Sequence, residues 1–94
     1  MSRVLDLTRE LVARPSVTPD DAGCQRLVSE RLLPLGFDVE WFLSGPVTNV
    51  LITRGRGSPS MWFLGHTDVV PPGPEERWTF LPFHPDEKDG ELYG

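Results

Sequence analysis

The sequence predicts a small α/β protein in which two amphipathic helices precede a set of strands. Three observations carry this prediction. Apolar residues recur at intervals of three and four in the first third of the chain, and afterwards they alternate with polar residues. Ten prolines and nine glycines among 94 residues interrupt the chain too often for long helices. The length corresponds to one small domain at most, with a thin margin of stability.

The first helix is expected from Val4 to Arg14. Leu5, Leu7 and Leu11 follow an approximately helical spacing there, with charged residues between them. Pro15 ends the helix, because the residue before a proline is driven out of the helical region of backbone conformation.

A second helix is expected where apolar residues recur with the same spacing, from Cys24 to Leu35. Asp20 or Asp21 can cap its beginning, because a carboxylate accepts hydrogen bonds from the first unpaired N–H groups of a helix. Gly36 lies where a helix stop is expected.

Strands are expected in the rest of the chain. Residues 37–43 and 47–54 alternate in polarity, which is typical of strands that have one buried face. Residues 61–64 are wholly apolar, which predicts a strand buried on both faces. Residues 71–89 are rich in proline and acidic residues and are predicted to be a loop, and residues 91–94 begin another strand.

Charge and composition exclude several classes of function. The net charge of −5 argues against a nucleic-acid partner, because affinity for phosphates comes from clustered Lys and Arg. No apolar run approaches the roughly 20 residues of a membrane helix, and Asp6 and Arg9 interrupt any signal-peptide core. A cytoplasmic protein without a membrane partner is therefore expected. A single cysteine, Cys24, excludes an internal disulfide.

The residues with most chemical content are His66 and Asp68. His66 follows the most apolar predicted strand, and ligands of α/β proteins gather at the carboxyl ends of strands. Neutral imidazole is a common zinc ligand, and Asp68 lies two residues on, where an extended chain places it on the same side. Such a carboxylate can orient the imidazole. On this spacing alone, a structural or exposed histidine is the more common alternative.

Other reactive residues are expected to be structural. His84 lies in a predicted loop and is expected at the surface, whereas Cys24 is expected as a buried small apolar residue. Residues 86–89 are expected to form a charged turn. The three tryptophans are expected mostly in the core, the third of them also holding the loop down (Trp41, Trp62 and Trp78).

The stretch Gly65-His66-Thr67-Asp68-Val69-Val70-Pro71-Pro72-Gly73 resembles the first metal-binding motif of the M20 metallopeptidase and deacylase family. The resemblance implies the N-terminal portion of a zinc-peptidase-like catalytic domain, with two helices followed by strands of a mixed sheet, over residues 1–94. Residues 14–25 and the Arg77-Trp78 and Pro82-Phe83 pairs are similar to a narrower branch of the family. That branch hydrolyses N-succinyl-LL-2,6-diaminopimelate to succinate and LL-diaminopimelate, in lysine biosynthesis.

The resemblance also implies a cofactor and site residues. Two zinc ions per active site are implied, with cobalt as a possible replacement. His66 would ligate one zinc, and Asp68 would be the catalytic residue of the motif, supporting that metal site without binding the ion itself. The substrate is a small molecule, and the complete enzyme is expected to be a homodimer.

One departure from the family pattern leads to a further expectation. The later motif that carries the metal-bridging aspartate does not occur in these 94 residues. We therefore expect an amino-terminal fragment that is inactive alone, with the other ligands and the dimerisation domain outside it. Two alternatives stay open: another M20 amidohydrolase such as an acetylornithine deacetylase, or a non-catalytic small protein that uses this fragment for interaction. Reading the DNA after codon 94 would distinguish an enzyme from the second alternative.

Overall fold

The computed structural model describes residues 2–94 as two helices and two separate antiparallel strand pairs. The helices are α1 (Arg3–Val12) and α2 (Cys24–Leu32), and the strands are β1 (Asp38–Ser44), β2 (Val47–Thr53), β3 (Asp86–Lys88) and β4 (Glu91–Tyr93). Short 3-10 turns occupy Leu33–Leu35 and Glu75–Arg77. The α/β class is confirmed. The expected mixed sheet is wrong for the described residues, because each strand pairs only with its neighbour in the chain.

Helix α1 begins and ends close to its predicted positions. The Ser2 side chain accepts a hydrogen bond from the Leu5 N–H at 3.2 Å and so caps the first turn. The last helical residue is Val12, and Ala13 forms the cap before Pro15. Proline cannot extend the helix here, so the predicted boundary is confirmed to within two residues.

Helix α2 carries most of the small core. The Asp21 carboxylate accepts from the Gln25 N–H at 2.9 Å, which confirms the predicted aspartate cap. Cys24 and Leu27 are buried, with 2% and 9% of their surface exposed. After the 3-10 turn the chain reverses at Gly36, whose φ of 89° favours glycine. Neither helix within residues 2–94 is long or apolar enough to cross a membrane.

The predicted strands at 37–43 and 47–54 form one hairpin. β1 and β2 pair over their whole length, from Asp38 opposite Thr53 to Ser44 opposite Val47. Gly45 adopts a φ of 58° in the two-residue connection, and tight hairpin turns favour such positive values. The Gln25 side chain donates to the Thr48 carbonyl at 2.8 Å, which joins α2 to this hairpin.

The buried strand expected at residues 61–64 is wrong. The segment has no regular secondary structure and no strand pairing, and its four apolar side chains are 73% to 102% exposed (Met61, Trp62, Phe63 and Leu64). Apolar composition gives a tendency to form a strand, but a strand also needs a hydrogen-bonded neighbour. The strands of the described chain are paired with one another and leave this segment without one. The expected core positions of Trp62 and of Trp41, which is 46% exposed, are therefore also wrong.

The charged turn expected at residues 86–89 is half wrong. Residues 86–88 form β3, which pairs with β4 so that Asp86 faces Tyr93 and Lys88 faces Glu91. The turn is confined to Asp89-Gly90, where φ is 53° and 80°. An Asp-Gly pair between two short strands is a strong hairpin signal. The charged residues around this pair indicated an exposed turn instead, and the hairpin was therefore not predicted. The strand expected at residues 91–94 is confirmed as β4.

The protein exposes much more surface than a compact chain of its mass. Its accessible area is 7683 Å², against the roughly 5,500 Å² expected from the size scaling of folded monomers. Its radius of gyration is 15.7 Å, whereas about 12–13 Å is typical of this length. The chain is therefore less compact than folded monomers of its mass.

Candidate metal-binding site

The residues of the metal motif lie in an extended loop that is fixed to the segment before α2. We call residues 65–69 the His66 loop. Val69 donates from its N–H to the Ser16 carbonyl at 2.8 Å, and its own carbonyl accepts from the Thr18 N–H at 2.9 Å. These bonds form an isolated parallel bridge between Val17 and Val69. The loop is thus placed by this bridge and not by the buried strand that the sequence predicted.

His66 and Asp68 lie side by side in the loop. The His66 Nδ1 is 2.8 Å from the Asp68 carbonyl oxygen and 3.1 Å from its carboxylate Oδ1. Because both oxygens only accept hydrogen bonds, we assign the proton to Nδ1. The Nε2 lone pair is then free to bind a metal ion, and the imidazole, 80% exposed, is accessible.

The Asp68 carboxylate is held in its ionised form. A hydrogen bond from the Thr18 hydroxyl, followed by the hydrogen bond from His66, lowers the pKa of the Asp68 carboxyl below its ordinary value. Hydrogen bonds donated to a carboxylate stabilise the charged state. At neutral pH Asp68 is therefore an acceptor for the His66 Nδ1–H and keeps that tautomer in place.

Two side chains that sequence reasoning did not connect with the site support the His66 loop. Ser16 is 4% exposed, and its hydroxyl donates to the Thr67 carbonyl at 2.8 Å. Asp21, expected only as a helix cap, also accepts from the Thr67 hydroxyl. These contacts join residues that are 51 and 46 positions apart. No local periodicity or spacing reports such a contact.

His66 lies between two recesses of different character. A recess of about 160 Å³ on one side has a mixed lining, in which Asp21, Gln25, Asn49 and Asp68 stand beside the apolar Val47 and Val50. A larger cleft of about 530 Å³ on the other side is mainly apolar and is lined in part by residues of α1, Val69, Trp78 and Phe83. The imidazole therefore borders one recess of mixed polarity and one that is mainly apolar.

The chemistry of His66 fits one ligand of a zinc site. A histidine whose second nitrogen donates to a carboxylate is the usual form of a zinc-binding imidazole. Within residues 2–94, no three His, Cys, Asp or Glu side chains lie close enough together to hold a metal ion. Because catalytic zinc sites take about three protein ligands, the described residues supply only part of one.

The remaining reactive residues occupy structural positions. His84 is exposed, as expected, in the turn before β3. Burial raises the pKa of the Cys24 thiol, so this residue behaves as the small apolar group that the sequence predicted. The Trp78 indole N–H donates to the Pro72 carbonyl at 2.9 Å, which confirms its expected contact with the loop after the motif.

No protein-family model matches the chain. It is 57% identical over 94 residues to a succinyl-diaminopimelate desuccinylase of Stenotrophomonas maltophilia (strain R551-3). Proteins of the same name from Bordetella avium (strain 197N) and Xylella fastidiosa (strain M12) are 55% and 54% identical over the same length. Each alignment covers 100% of this chain and 25% of the relative. The chain therefore spans about a quarter of the length of these succinyl-diaminopimelate desuccinylases and is similar to them over all of its 94 residues. This confirms the narrower resemblance predicted from its sequence.

Proposed function

We propose that the chain is the amino-terminal, His66-bearing portion of a zinc-dependent amide hydrolase with a zinc-peptidase-like catalytic domain. Its substrate would be N-succinyl-LL-2,6-diaminopimelate. The observation that carries the proposal is the similarity of all 94 residues to proteins named succinyl-diaminopimelate desuccinylase, at 54% to 57% identity. Those names favour this substrate over that of an acetylornithine deacetylase. They also favour an enzyme over a non-catalytic interaction fragment.

His66 is the residue of this chain that would hold zinc, through Nε2. Asp68 would keep the imidazole in the Nδ1–H form and in one orientation, because it accepts from Nδ1 at 3.1 Å. The chemistry that zinc supplies in hydrolases is polarisation of a carbonyl and activation of a water molecule. Neither Thr67 nor Val69 offers a nitrogen ligand that could replace His66.

The proposed reaction is hydrolysis of one amide bond. The oxygen of water bonds to the succinyl carbonyl carbon, and the carbon–nitrogen bond breaks. The nitrogen leaves with a proton as the amine of LL-diaminopimelate, and the acyl group leaves as succinate. In this reaction the His66 loop contributes a fixed ligand position and a fixed negative charge at Asp68.

The remaining parts of the proposal follow from the number of ligands. The described residues offer one metal-binding histidine, so we infer that the other zinc ligands are supplied from outside this chain's 94 residues. The chain alone is then expected to be inactive. Two zinc ions per site, replacement by cobalt and a homodimeric enzyme belong to the same proposal through the resemblance of residues 65–73 to the M20 metal motif. A cytoplasmic location is also part of the proposal.

The test is a chimera in which residues 1–94 replace the matching quarter of the Stenotrophomonas maltophilia relative. Release of succinate from N-succinyl-LL-2,6-diaminopimelate is then measured. The chimera is expected to hydrolyse this substrate, and His66→Ala is expected to abolish the activity. His84→Ala is the matched control, because His84 is an exposed histidine outside the His66 loop. An inactive chimera, or an active His66→Ala chimera, would contradict the proposal.

A further inference from the structure

We infer that Asp21 is a positioning residue for the His66 loop, an inference that rests on the proposed function. Its carboxylate joins two elements of the structure. Oδ1 accepts a hydrogen bond from the Thr67 hydroxyl, and Oδ2 accepts at 2.9 Å from the backbone N–H of Gln25 in the first turn of α2. One side chain thus connects the neighbour of the proposed metal ligand to the start of a helix.

Asp21 can act in this way because its own backbone is fixed. The preceding side chain, Asp20, accepts from the Ala22 N–H at 2.8 Å, and Arg14 donates to the Ala22 carbonyl at 3.0 Å. The Asp21 carbonyl accepts from the N–H of Cys24 at 3.1 Å, and Cys24 is 2% exposed. The turn before α2 is therefore anchored in the core, and it presents the Asp21 carboxylate at one place.

Thr67 is held from two sides. Its hydroxyl donates to Asp21, and its carbonyl accepts at 2.8 Å from the hydroxyl of Ser16, which is 4% exposed. His66 is bonded directly to Thr67, and its ring is 80% exposed, so it has little packing of its own. The backbone position of His66 relative to the fold therefore depends on Thr67 as well as on the Val17–Val69 bridge.

The position of the Asp21–Thr67 hydrogen bond indicates a role at the site beyond fold stability. The His66 loop carries no regular secondary structure apart from its bridge at Val69. The Asp21–Thr67 bond buries little apolar surface, since both residues are only half-buried. What the bond fixes is the direction of the peptide beside His66. A metal site binds its ion more tightly when its ligands are held in position before the ion arrives.

The test removes only the Thr67 hydroxyl. Thr67→Val keeps the shape of the side chain and leaves the bond between Asp21 and the Gln25 N–H intact. Thr67→Ser restores the hydroxyl and is the conservative rescue. Thr8→Val is the matched control, because Thr8 lies on the exposed side of α1 and its hydroxyl donates only to the Val4 carbonyl, at 2.7 Å.

Two measurements read the effect. In the 94-residue chain labelled with ¹⁵N-histidine, NMR reports which ring nitrogen of His66 carries the proton. Thr67→Val is expected to shift His66 from the Nδ1–H form toward the Nε2–H form that a free side chain prefers. In the Stenotrophomonas maltophilia chimera, Thr67→Val is expected to lower zinc affinity by roughly 10–100-fold. Thr67→Ser and Thr8→Val are expected to keep both properties near those of the unsubstituted protein.

Two results would overturn the inference. One is a Thr67→Val protein that keeps both the Nδ1–H form and the zinc affinity. The other is loss of the cross-strand NMR signals of the β1–β2 hairpin in Thr67→Val, which would assign the bond to fold stability. A chimera that never binds zinc would refute only the proposed function. The histidine NMR measurement needs no metal and would still test the role of the Asp21–Thr67 hydrogen bond.

Discussion

The His66 Nδ1 and the Asp68 Oδ1 lie 3.1 Å apart in a loop that has no regular secondary structure of its own. The backbone of Asp68 takes part in the same contact, because its carbonyl oxygen is 2.8 Å from the same nitrogen. Two acceptors at Nδ1 leave Nε2 as the basic nitrogen of the ring. This relationship makes His66 a suitable metal ligand before any metal is bound.

Removing the Asp68 carboxylate should weaken zinc binding without abolishing it. In the chimera, Asp68→Ala is expected to lower zinc affinity by roughly 10–100-fold, because the imidazole loses the partner that orients it. Asp68→Asn should have a smaller effect, since an amide oxygen still accepts from Nδ1 but carries no charge. Zinc competition with a chelator measures both variants. Normal affinity and turnover in Asp68→Ala would show that the His66–Asp68 contact is incidental.

Truncating the core residue Leu27 should unfold much of the protein. Leu27 is 9% exposed and belongs to a small core, and Leu→Ala substitutions at buried sites cost about 2–5 kcal/mol. Leu43→Ala is the matched control, because Leu43 is 73% exposed on β1. Urea denaturation followed by circular dichroism compares the two variants. Equal stabilities would mean that α2 does not carry the core.

Cys24 should report the integrity of the fold through its reactivity. Burial raises the pKa of its thiol above the ordinary value of 9.0, so the native protein should react slowly with iodoacetamide at pH 8. Because the folded protein favours the protonated thiol, the contribution of Cys24 to stability is fully present below the ordinary thiol pKa of 9.0. The contribution is lost as the pH rises above about 9, because the unfolded chain then releases the proton first. Fast alkylation of the native protein, or stability that increases above this pH, would contradict the account.

The exposed segment at residues 61–64 should cause self-association of the 94-residue chain. Phe63 and Leu64 are 91% and 102% exposed, and exposed apolar side chains on a segment without strand pairing favour contact with other chains. The double substitution Phe63→Lys and Leu64→Lys should shift the chain toward monomer in sedimentation equilibrium. Val4→Lys, at a position 75% exposed on α1, should not. A monomeric, cooperatively folding unsubstituted chain would count against this prediction.

Local signals in the sequence predicted the helices and the two strands of the first hairpin correctly, although they did not predict that these strands pair with each other. Leu27 and Cys24 follow helical spacing, and the structure buries both of them on α2. The Gly45-Pro46 break lies between two alternating segments, and the structure turns there. These features depend on neighbours within a few residues, which is the range over which periodicity and turn chemistry act.

Features that depend on distant partners were not predictable in the same way. The apolar run at residues 61–64 has the composition of a strand, but pairing depends on a neighbour that the run itself cannot specify. The ties of Ser16 and Asp21 to Thr67 join parts of the chain 51 and 46 residues apart. The sequence therefore indicated His66 and Asp68 as a pair, whereas the structure alone shows what holds their loop.

The most direct test of the account is the zinc content of the purified chimera, measured by mass spectrometry of the metal alongside protein concentration. The account predicts that His66→Ala removes one zinc per active site, whereas His84→Ala and Asp68→Asn keep it at saturating zinc. An unchanged zinc content in His66→Ala would contradict the central claim that His66 is a metal ligand.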